Sequence, residues 1–405
     1  MKLPALTVRS PDPAVHEGAV IDLVSKTFGT YARFKADAVE WYVRHSHYDW
    51  EASAIGLHGE VLVAHWGVWG YPMRVGRAVV RCAGVGAVAT DANLRRRGLM
   101  ARTAPHSLER MRARGYHLSV LFGIDGFYDR FGFVAAWPES RWHLRCADLP
   151  RTLPRVPGLR RIPLSPTPAL VRLHARASAG LTGTAVRPTY PRSWSGMRKD
   201  VEAYAWGGAP GRPAGHLIVE AEGAALVCNE ASGAPDAALA ALAQLCRRKS
   251  LPEVRFETLP YGSALAARLR GLTCRYEQRY APNGEAMVRV VDLAGCLAAM
   301  APELSARLAA SPLGGYRGAL LVRGPEGTAR LELGAGRVKV SAGRGGGPVT
   351  ATVAGSWPLA QLLLGSDEPL EICEVGRLRL SGDAARLVPV LFPAQHPQLH
   401  LADRF

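Results

Sequence analysis

A basic turn is the first place in this sequence where residue types and spacing could do chemistry. A valine-rich stretch ends at Thr90, and after four intervening residues the chain reads Arg95-Arg96-Arg97-Gly98 before a helical pattern. The free N–H groups of a first helical turn, together with the helix dipole, bind anions such as a diphosphate. Arginine adds charge, and glycine lets the backbone approach closely. The pattern therefore indicates an anion site, although a solvated basic helix start has the same sequence.

An aromatic turn follows the next predicted strand, and it contains a second candidate for chemistry. Residues 126–133 read Gly-Phe-Tyr-Asp-Arg-Phe-Gly-Phe, with the tyrosine at position 128. A phenol with an ordinary pKa near 10 is protonated at neutral pH and can donate a proton to a leaving group. Tyr128 is therefore a candidate general acid, and its alternative role is packing within an aromatic turn.

The elements around these two turns predict an α/β layer. Apolar residues recur at helical spacing over 15–27 and 98–114, and valine-rich or alternating patterns typical of strands occupy 52–57, 61–69, 79–90 and 116–122. This strand–helix–strand order requires at least one crossover, which would place the basic turn at the start of the crossover helix.

Proline and glycine divide the rest of the chain. Six prolines fall in residues 149–168, and an Asn-Gly turn stands at 283–284. We therefore expect three domains, covering 1–148, 149–285 and 286–405, and a multidomain α/β (α+β) fold. The second and third units mix helical patterns with short alternating strands.

Composition excludes several classes of protein. The 405 residues are 48% apolar but contain no run long enough to span a membrane, and no signal peptide is expected. Seven dispersed cysteines argue against a disulfide framework or a structural zinc, so a reducing cytoplasm is expected. The net charge is +16, with only six lysines among 50 basic residues. Because no basic run exceeds three residues, nucleic-acid binding is an unfavoured alternative.

The order of these motifs resembles the GNAT superfamily of N-acetyltransferases, and more narrowly the Eis (enhanced intracellular survival) family. In the first domain the resemblance rests on residues 95–99, Arg-Arg-Arg-Gly-Leu, and on residues 128–133, Tyr-Asp-Arg-Phe-Gly-Phe. Later in the chain it rests on residues 287–292, Met-Val-Arg-Val-Val-Asp, and on Leu-Phe-Pro at 391–393. It is strong in the first domain and at the C-terminus, and weak over 151–285.

The resemblance implies two tandem GNAT-like domains followed by a domain that resembles a sterol carrier protein. It also implies acetyl-CoA as co-substrate and no metal. The central domain has no basic turn of this kind, so it is not expected to bind CoA. The residues implied to bind the co-substrate, mostly through backbone groups, are Val88, Ala89, Thr90, Arg95, Arg96, Arg97, Gly98, Leu99 and Met100.

Acetyl transfer from a thioester to an amine needs a neutral amine, a stabilised oxyanion and a protonated thiolate. By resemblance, Tyr128 would protonate the thiolate, and the α-carboxylate of Phe405 would serve as base. A frayed terminus is the commoner fate of a chain end. Here, however, Leu399, Leu401 and Phe405 are apolar and could anchor it.

The expected function is direct acetyl transfer to a primary amine, either a small molecule or a peptide, in a ternary complex. The alternative is a binding protein that has lost catalysis. Aminoglycosides are disfavoured as acceptors because the early region carries Lys26, Arg33 and Lys35 against Asp37 and Glu40. Phe28 is a candidate for lining the acceptor pocket. The resemblance also implies a homo-oligomer, a hexamer in that family.

Overall fold

The computed structural model describes residues 5–29, 43–44, 46–165, 167–187, 200–209, 211–280 and 283–405. Within those residues the chain forms three β-sheets and nine α-helices, a mixed α/β architecture. The strands are β1 Leu6–Arg9, β2 Ala54–His58, β3 Val61–Val75, β4 Ala78–Thr90, β5 Leu118–Ile124, β6 Val134–Trp137, β7 Glu139–Arg145, β8 Arg160–Ile162, β9 Glu202–Trp206, β10 Gly215–Glu222, β11 Ala225–Ser232, β12 Glu253–Glu257, β13 Arg275–Arg279, β14 Asn283–Val290, β15 Gly318–Gly324, β16 Gly327–Gly334, β17 Arg337–Ala342, β18 Ala351–Ala354 and β19 Arg379–Gly382. The helices are α1 Pro13–Phe28, α2 Leu99–Ala113, α3 Pro168–Ala177, α4 Pro235–Lys249, α5 Ala264–Leu269, α6 Leu293–Ala309, α7 Leu359–Leu364, α8 Pro369–Val375 and α9 Ala384–Leu391.

The first sheet has the strand order β1-β2-β3-β4-β5-β14-β6. Only β4 and β5 run parallel, and α2 forms the crossover between them. One face of the sheet packs against α2 through a core that includes Leu99, Met100 and Met111. The opposite face packs against α1 through Val20 and Leu23. The sheet thus holds the start of α2 next to the ends of β4 and β5.

The second sheet repeats this arrangement with the order β8-β9-β10-β11-β12-β7-β13. Its fourth and fifth strands, β11 and β12, are again the parallel pair, and α4 connects them. A core of leucines and alanines on α4, including Leu239, Leu242 and Leu245, packs against this sheet. The two sheets therefore share one topology.

Sheet membership departs from the predicted boundaries at two strands. Strand β7, which the sequence boundaries place in the first unit, pairs with β12 and β13 of the second sheet. Strand β14, which those boundaries divide between the second and third units, pairs with β5 and β6 of the first sheet. The two sheets have exchanged their sixth strands, and this non-local pairing has no signature in local composition.

The third sheet has five strands in the order β17-β16-β15-β18-β19. Its core is continuous with one face of the first sheet, where Val120 and Val288 meet Leu297 and Leu320. After α9 the chain leaves this unit and returns to the first two sheets, ending at Phe405. In the part of the chain that the structure describes, no helix is long and apolar enough to cross a membrane.

Candidate active site

An opening between β4 and β5 forms the centre of the candidate site. The parallel ladder joins only Cys82–Val85 to Leu118–Leu121, whereas β4 continues to Thr90 and β5 continues to Ile124. Val88, Ala89 and Thr90 lie beyond the ladder on the β4 side. Among the described residues no strand pairs with their backbone edge toward β5, so that edge can take an extended ligand.

A β-bulge reshapes β4 at this opening. His65 pairs with Ala89 and Gly67 with Gly86, so Trp66 faces two residues, Ala87 and Val88. Ala87 has a φ of 49°, a left-handed conformation that costs energy in a residue with a side chain. Bulges of this kind re-aim backbone groups and are common beside active sites.

The buried ring of His65 holds this bulge. Its Nδ1 lies 2.8 Å from the carbonyl oxygen of Ala87, and its Nε2 lies 2.8 Å from the hydroxyl of Tyr48. Because a carbonyl can only accept, Nδ1 carries the proton and Nε2 accepts from Tyr48. Burial lowers the pKa of His65 to about 4, so the ring is neutral at neutral pH. Sequence reasoning missed both His65 and the bulge.

The basic turn leads directly into α2. Gly98 is the N-cap residue in a left-handed conformation, with φ 74°, and nothing lies within 4 Å of the position of a Cβ there. Among the described residues, no side chain caps this helix start. The side chains of Arg95, Arg96 and Arg97 are exposed, so their charge surrounds uncapped N–H groups. That combination suits a phosphate group.

Leu99 and Met100 point away from this site. Both side chains are buried in the core between α2 and the first sheet. Only their backbone N–H groups can therefore contribute to anion binding. Methionine at position 100 is compatible with such a role because its side chain is used for packing.

Tyr128 lies against the first sheet on the α2 side of β5. Its ring is 9% exposed and packs edge-on against Trp66 and Phe127. A Cβ at Gly123 would lie 2.6 Å from Cδ2 of Tyr128, so only glycine fits there. Burial raises the pKa of Tyr128 above its ordinary value, so the phenol keeps its proton at neutral pH.

Phe405 approaches β5 from the opposite face. Its ring lies 5.9 Å from that of Phe122 and 5.7 Å from that of Tyr71. Phe122 and Gly123 are consecutive in β5 and so point to opposite sides of the sheet. The structure therefore brings Tyr128 and Phe405 to the same strand end from its two faces.

Two glycines of β4 make room for the chain terminus. A Cβ at Gly84 would collide with the ring of Phe405, and a Cβ at Gly86 would lie 3.1 Å from its carboxyl carbon. The α-carboxylate thus lies over β4, immediately before the bulge. Sequence reasoning did not single out these glycines, although glycine inside a strand pattern is a signal for close approach of another backbone.

One side of the opening is partly apolar. Phe28, Ala87 and Phe405 are half-buried and pack on one cluster that contains Trp69. Phe28 therefore lies near the opening, and its role in lining an acceptor pocket stays a prediction. Lys26 is paired with Asp22 at 2.6 Å on the surface of α1. The early residues Arg33, Lys35, Asp37 and Glu40 lie outside the described residues.

A separate cavity of about 530 Å³ lies at the other end of α2. Its charged groups satisfy one another: Asp49 accepts from Tyr116 at 2.7 Å and from Arg114 at 2.9 Å. A helix of 15 residues places this cavity about 22 Å from the basic turn. It is therefore separate from the opening between β4 and β5. Across the described ranges, no group of three or more potential metal ligands is found.

Comparisons with known proteins agree with this geometry. Residues 15–136 match the family model described as an acetyltransferase (GNAT) domain. A GCN5-related N-acetyltransferase from Anabaena variabilis has 17% identity and a TM-score of 0.77, over 99% of this chain and 100% of that chain. A probable N-acyltransferase of Enterococcus faecalis has 17% identity and a TM-score of 0.75 over the same shares. Eis1 from Mycobacterium abscessus has 15% identity and a TM-score of 0.70, again over 99% and 100%. No curated protein sequence matches significantly. At these identities the solved structures show a shared fold along the whole chain.

Proposed function

We propose that this chain, whose residues 15–136 form a GNAT acetyltransferase domain, is an acetyl-CoA-dependent N-acetyltransferase acting on a primary amine. One observation carries the proposal. The opening between β4 and β5 has an uncapped, arginine-rich helix start at one end, and the chain-terminal carboxylate lies over β4. A binding protein without catalysis would need the first feature but not the second.

The residues around the opening fit the co-substrate. The N–H groups of Leu99 and Met100, with Arg95, Arg96 and Arg97, would hold its diphosphate. The free backbone edge of residues 88–90 would hold the extended arm in the manner of an added β-strand. Acetyl-CoA supplies an activated acetyl thioester when bound.

The chain's own groups then divide the proton chemistry. The α-carboxylate of Phe405 accepts a proton from the substrate ammonium, so that the neutral amine can attack the thioester carbonyl, and an N–H of the bulge segment stabilises the oxyanion. The hydroxyl of Tyr128 donates to the departing thiolate, and its raised pKa means that the proton is present at neutral pH. Transfer is proposed to be direct, in a ternary complex, with the base over β4 and the acid beside β5.

The acceptor is proposed to be a small molecule or a peptide, such as a lysine side chain, with a primary amine next to an apolar surface. Phe28, Ala87 and the ring of Phe405 provide that surface. An aminoglycoside-like polycation is a less favoured acceptor because the protein carries a net charge of +16.

Three further proposals follow from the resemblance. The third unit is proposed to be a domain like a sterol carrier protein, supported by its five-stranded sheet with helices packed beside it. The protein is proposed to act in the cytoplasm. It is also proposed to be a homo-oligomer, a hexamer by resemblance, which light scattering of the purified protein would test.

A panel of primary amines tests the proposed function. Thiol release from acetyl-CoA is measured with each amine and corrected for hydrolysis without amine, and the product is identified by mass spectrometry. The proposal predicts turnover with at least one amine, and turnover at least about tenfold slower in a variant whose C-terminus is displaced. Tight acetyl-CoA binding by calorimetry without turnover on any amine would instead indicate a binding protein.

A further inference from the structure

The second sheet has an opening built like the first. Its parallel ladder joins Ala225–Cys228 to Glu253–Phe256, and β11 then continues without β12. A register shift follows at once, because Val219 pairs with Cys228 but Ile218 pairs with Glu230. One extra residue, Asn229, is inserted as in β4. Glu230 is thus the first paired residue beyond the bulge, as Ala89 is in the first sheet.

The C-terminal tail of the chain occupies this second opening. The N–H of Leu401 donates to the hydroxyl of Thr258 at 3.2 Å, and Thr258 directly follows β12. On the β11 side, Glu230 is joined through Arg187 to Asp403. Residues 401–403 are therefore linked to both sides of the opening, directly at Thr258 and through Arg187 at Glu230.

Arg187 makes paired hydrogen bonds to both carboxylates. Its Nη1 and Nη2 donate to Glu230 at 2.9 and 2.7 Å, and its Nε and Nη2 donate to the two oxygens of Asp403 at 2.8 Å. The three side chains are 5%, 1% and 2% exposed. Bidentate arginine–carboxylate contacts of this kind hold the side chains in a defined orientation in addition to pairing their charges.

Histidines complete the cluster. Nε2 of His216 donates to Glu230 at 2.9 Å, and Nδ1 of His174 lies 3.4 Å from the same oxygen. Burial raises the pKa of Glu230, but Arg187 and the two histidines outweigh this and hold it well below its ordinary value. Burial likewise acts against Asp403, and Arg187 lowers its pKa overall. Both carboxylates are therefore ionised, and each depends on Arg187.

The two residues after Asp403 carry this constraint to the chain end. Arg404 pairs with Glu139 at 2.8 Å, and its guanidinium lies 4.2 Å from the ring centroid of Phe122. Phe405 follows, with its ring over Gly84. Two residues span at most about 7 Å, so fixing Asp403 leaves the terminal carboxylate little freedom.

We propose that Arg187 is a positioning residue for the reaction, and that the second sheet's opening serves as a holder for the tail that carries the base. This inference rests on the proposed function, in which the α-carboxylate of Phe405 accepts the proton. Arg187 acts through Asp403 and touches neither substrate nor reacting atoms. The structure thus assigns the second GNAT-like sheet a part in the chemistry of the first.

A double-mutant cycle tests the inference. Arg187→Met should lower kcat at least about tenfold with acetyl-CoA affinity unchanged. In a chain extended by two glycines after Phe405, whose carboxylate is already displaced, the same substitution should have less than about a twofold further effect. Two equal, additive losses would overturn the inference, because a purely structural Arg187 acts independently of the terminus. Arg307→Met, which removes another buried ion pair with Glu303 at 2.9 Å, is the matched control and should leave kcat unchanged.

A second readout does not depend on turnover. Carboxypeptidase A removes an accessible C-terminal aromatic residue, and release of Phe405 is followed by mass spectrometry. Release should be slow in the unaltered protein and in Arg307→Met, and at least about fivefold faster in Arg187→Met. Equal rates in all three would overturn the inference even if every amine fails as a substrate. Where Arg187→Met does not fold, Asp403→Asn carries both tests, because it keeps the pair between Arg187 and Glu230 and loosens only the tail.

Discussion

The first two sheets have the same strand order, yet their openings are bordered by very different side chains. In the first sheet the opening faces exposed arginines and an uncapped helix start. In the second it is closed by a buried cluster around Glu230, which binds the chain's own tail through Arg187. The comparison shows that the topology supplies a slot between diverging parallel strands. We propose that the side chains bordering that slot decide whether a diffusible ligand or a piece of the chain occupies it.

The helices that connect the parallel strands, α2 and α4, differ in the charge at their N-terminal ends. Helix α2 starts after Gly98 in a left-handed conformation, with three preceding arginines. Helix α4 starts with Pro235, which has no N–H, and carries Asp236 in its first turn, where it pairs with Arg268 at 2.6 Å. A carboxylate already interacts with the positive end of the α4 dipole and repels a phosphate. The absence of a CoA site in the central unit stays a prediction.

The largest expected effect comes from removing the hydroxyl of one tyrosine packed beside each of the two sheets. Tyr128→Phe should lower kcat by roughly tenfold to a thousandfold with little change in acetyl-CoA affinity, because only the proton donor is lost. Tyr261→Phe is the matched control from the second sheet, where the ring packs against Trp142 and Tyr276. It should leave kcat unchanged. Full activity in Tyr128→Phe would leave that residue with a packing role alone.

Both openings should respond to acid through a buried histidine, and the second should also respond through two buried carboxylates. His65, which holds the first bulge, has a pKa lowered to about 4 by burial, and His400, beside the second, is lowered to about 4 as well. A histidine in the unfolded chain binds its second proton at about pH 6.5, whereas these buried histidines bind it only at about pH 4. The free energy of unfolding therefore falls as the pH drops from about 6.5 to 4, by about 3 kcal/mol per histidine. The carboxylates of Glu230 and Asp403, whose pKa values are lowered, begin to lose their contribution at about pH 5 and continue to lose it as the pH falls toward those lowered pKa values.

Urea unfolding at several pH values measures this dependence. The slope of the unfolding free energy against pH gives the number of protons that the chain takes up on unfolding. Between pH 6.5 and 4 that number should be smaller by about one in His65→Asn and in His400→Asn. A slope that neither substitution changes would contradict neutral burial of these rings.

Displacing the chain terminus changes the first opening and leaves the tail in the second opening unchanged. Two glycines added after Phe405 leave residues 401–403 in place but move the carboxylate by up to about 3.3 Å per residue. Activity should fall by about an order of magnitude or more, because a base must lie within hydrogen-bond reach of the amine. Thermal stability and acetyl-CoA binding should stay close to normal, and an N-terminal tag should have no effect. Turnover at the unaltered rate would mean that the terminus is structural only.

Reversing charge at the first helix start has the smallest expected effect. Arg96→Glu with Arg97→Glu should weaken acetyl-CoA binding at least about tenfold while the fold stays intact, because a diphosphate is then repelled. Arg247→Glu with Arg248→Glu makes the same change of net charge at the exposed C-terminal end of α4. Calorimetry should find no change in that control. Equal affinity in both pairs would remove the basic turn from the site.

Local patterns explain what the sequence could predict. Residues 79–90 and 98–114 were predicted as strand and helix, and the structure has Ala78–Thr90 and Leu99–Ala113. Period-two and helical spacing report local burial, so elements of this kind are visible in a single sequence. The GNAT resemblance of the first domain, which rests on motifs in these elements, is confirmed by the family match.

The remaining features depend on contacts between distant residues. Arg187 and Asp403 stand 216 positions apart, and no local pattern links them. Strand β14 reads as a normal strand, but nothing in its residues says that it pairs with β5 rather than with its neighbours in the chain. The bulge at Ala87 is hidden for another reason, because alanine gives no sign of a left-handed conformation. The roles of Tyr128, Phe405 and the basic turn stay predictions.

The exchange of β7 and β14 has a consequence for how the protein is made. During synthesis the first sheet lacks its sixth strand until Val290 has left the ribosome, after the whole second sheet has emerged. Until then β5 and β6 each present an unpaired edge, and such edges attract incorrect partners. The second sheet, by contrast, receives β7 before its other strands. Neither sheet can therefore be produced from one continuous segment of the chain. A fragment ending near residue 148 would contain β7, which belongs to the second sheet, and would lack β14, which the first sheet needs.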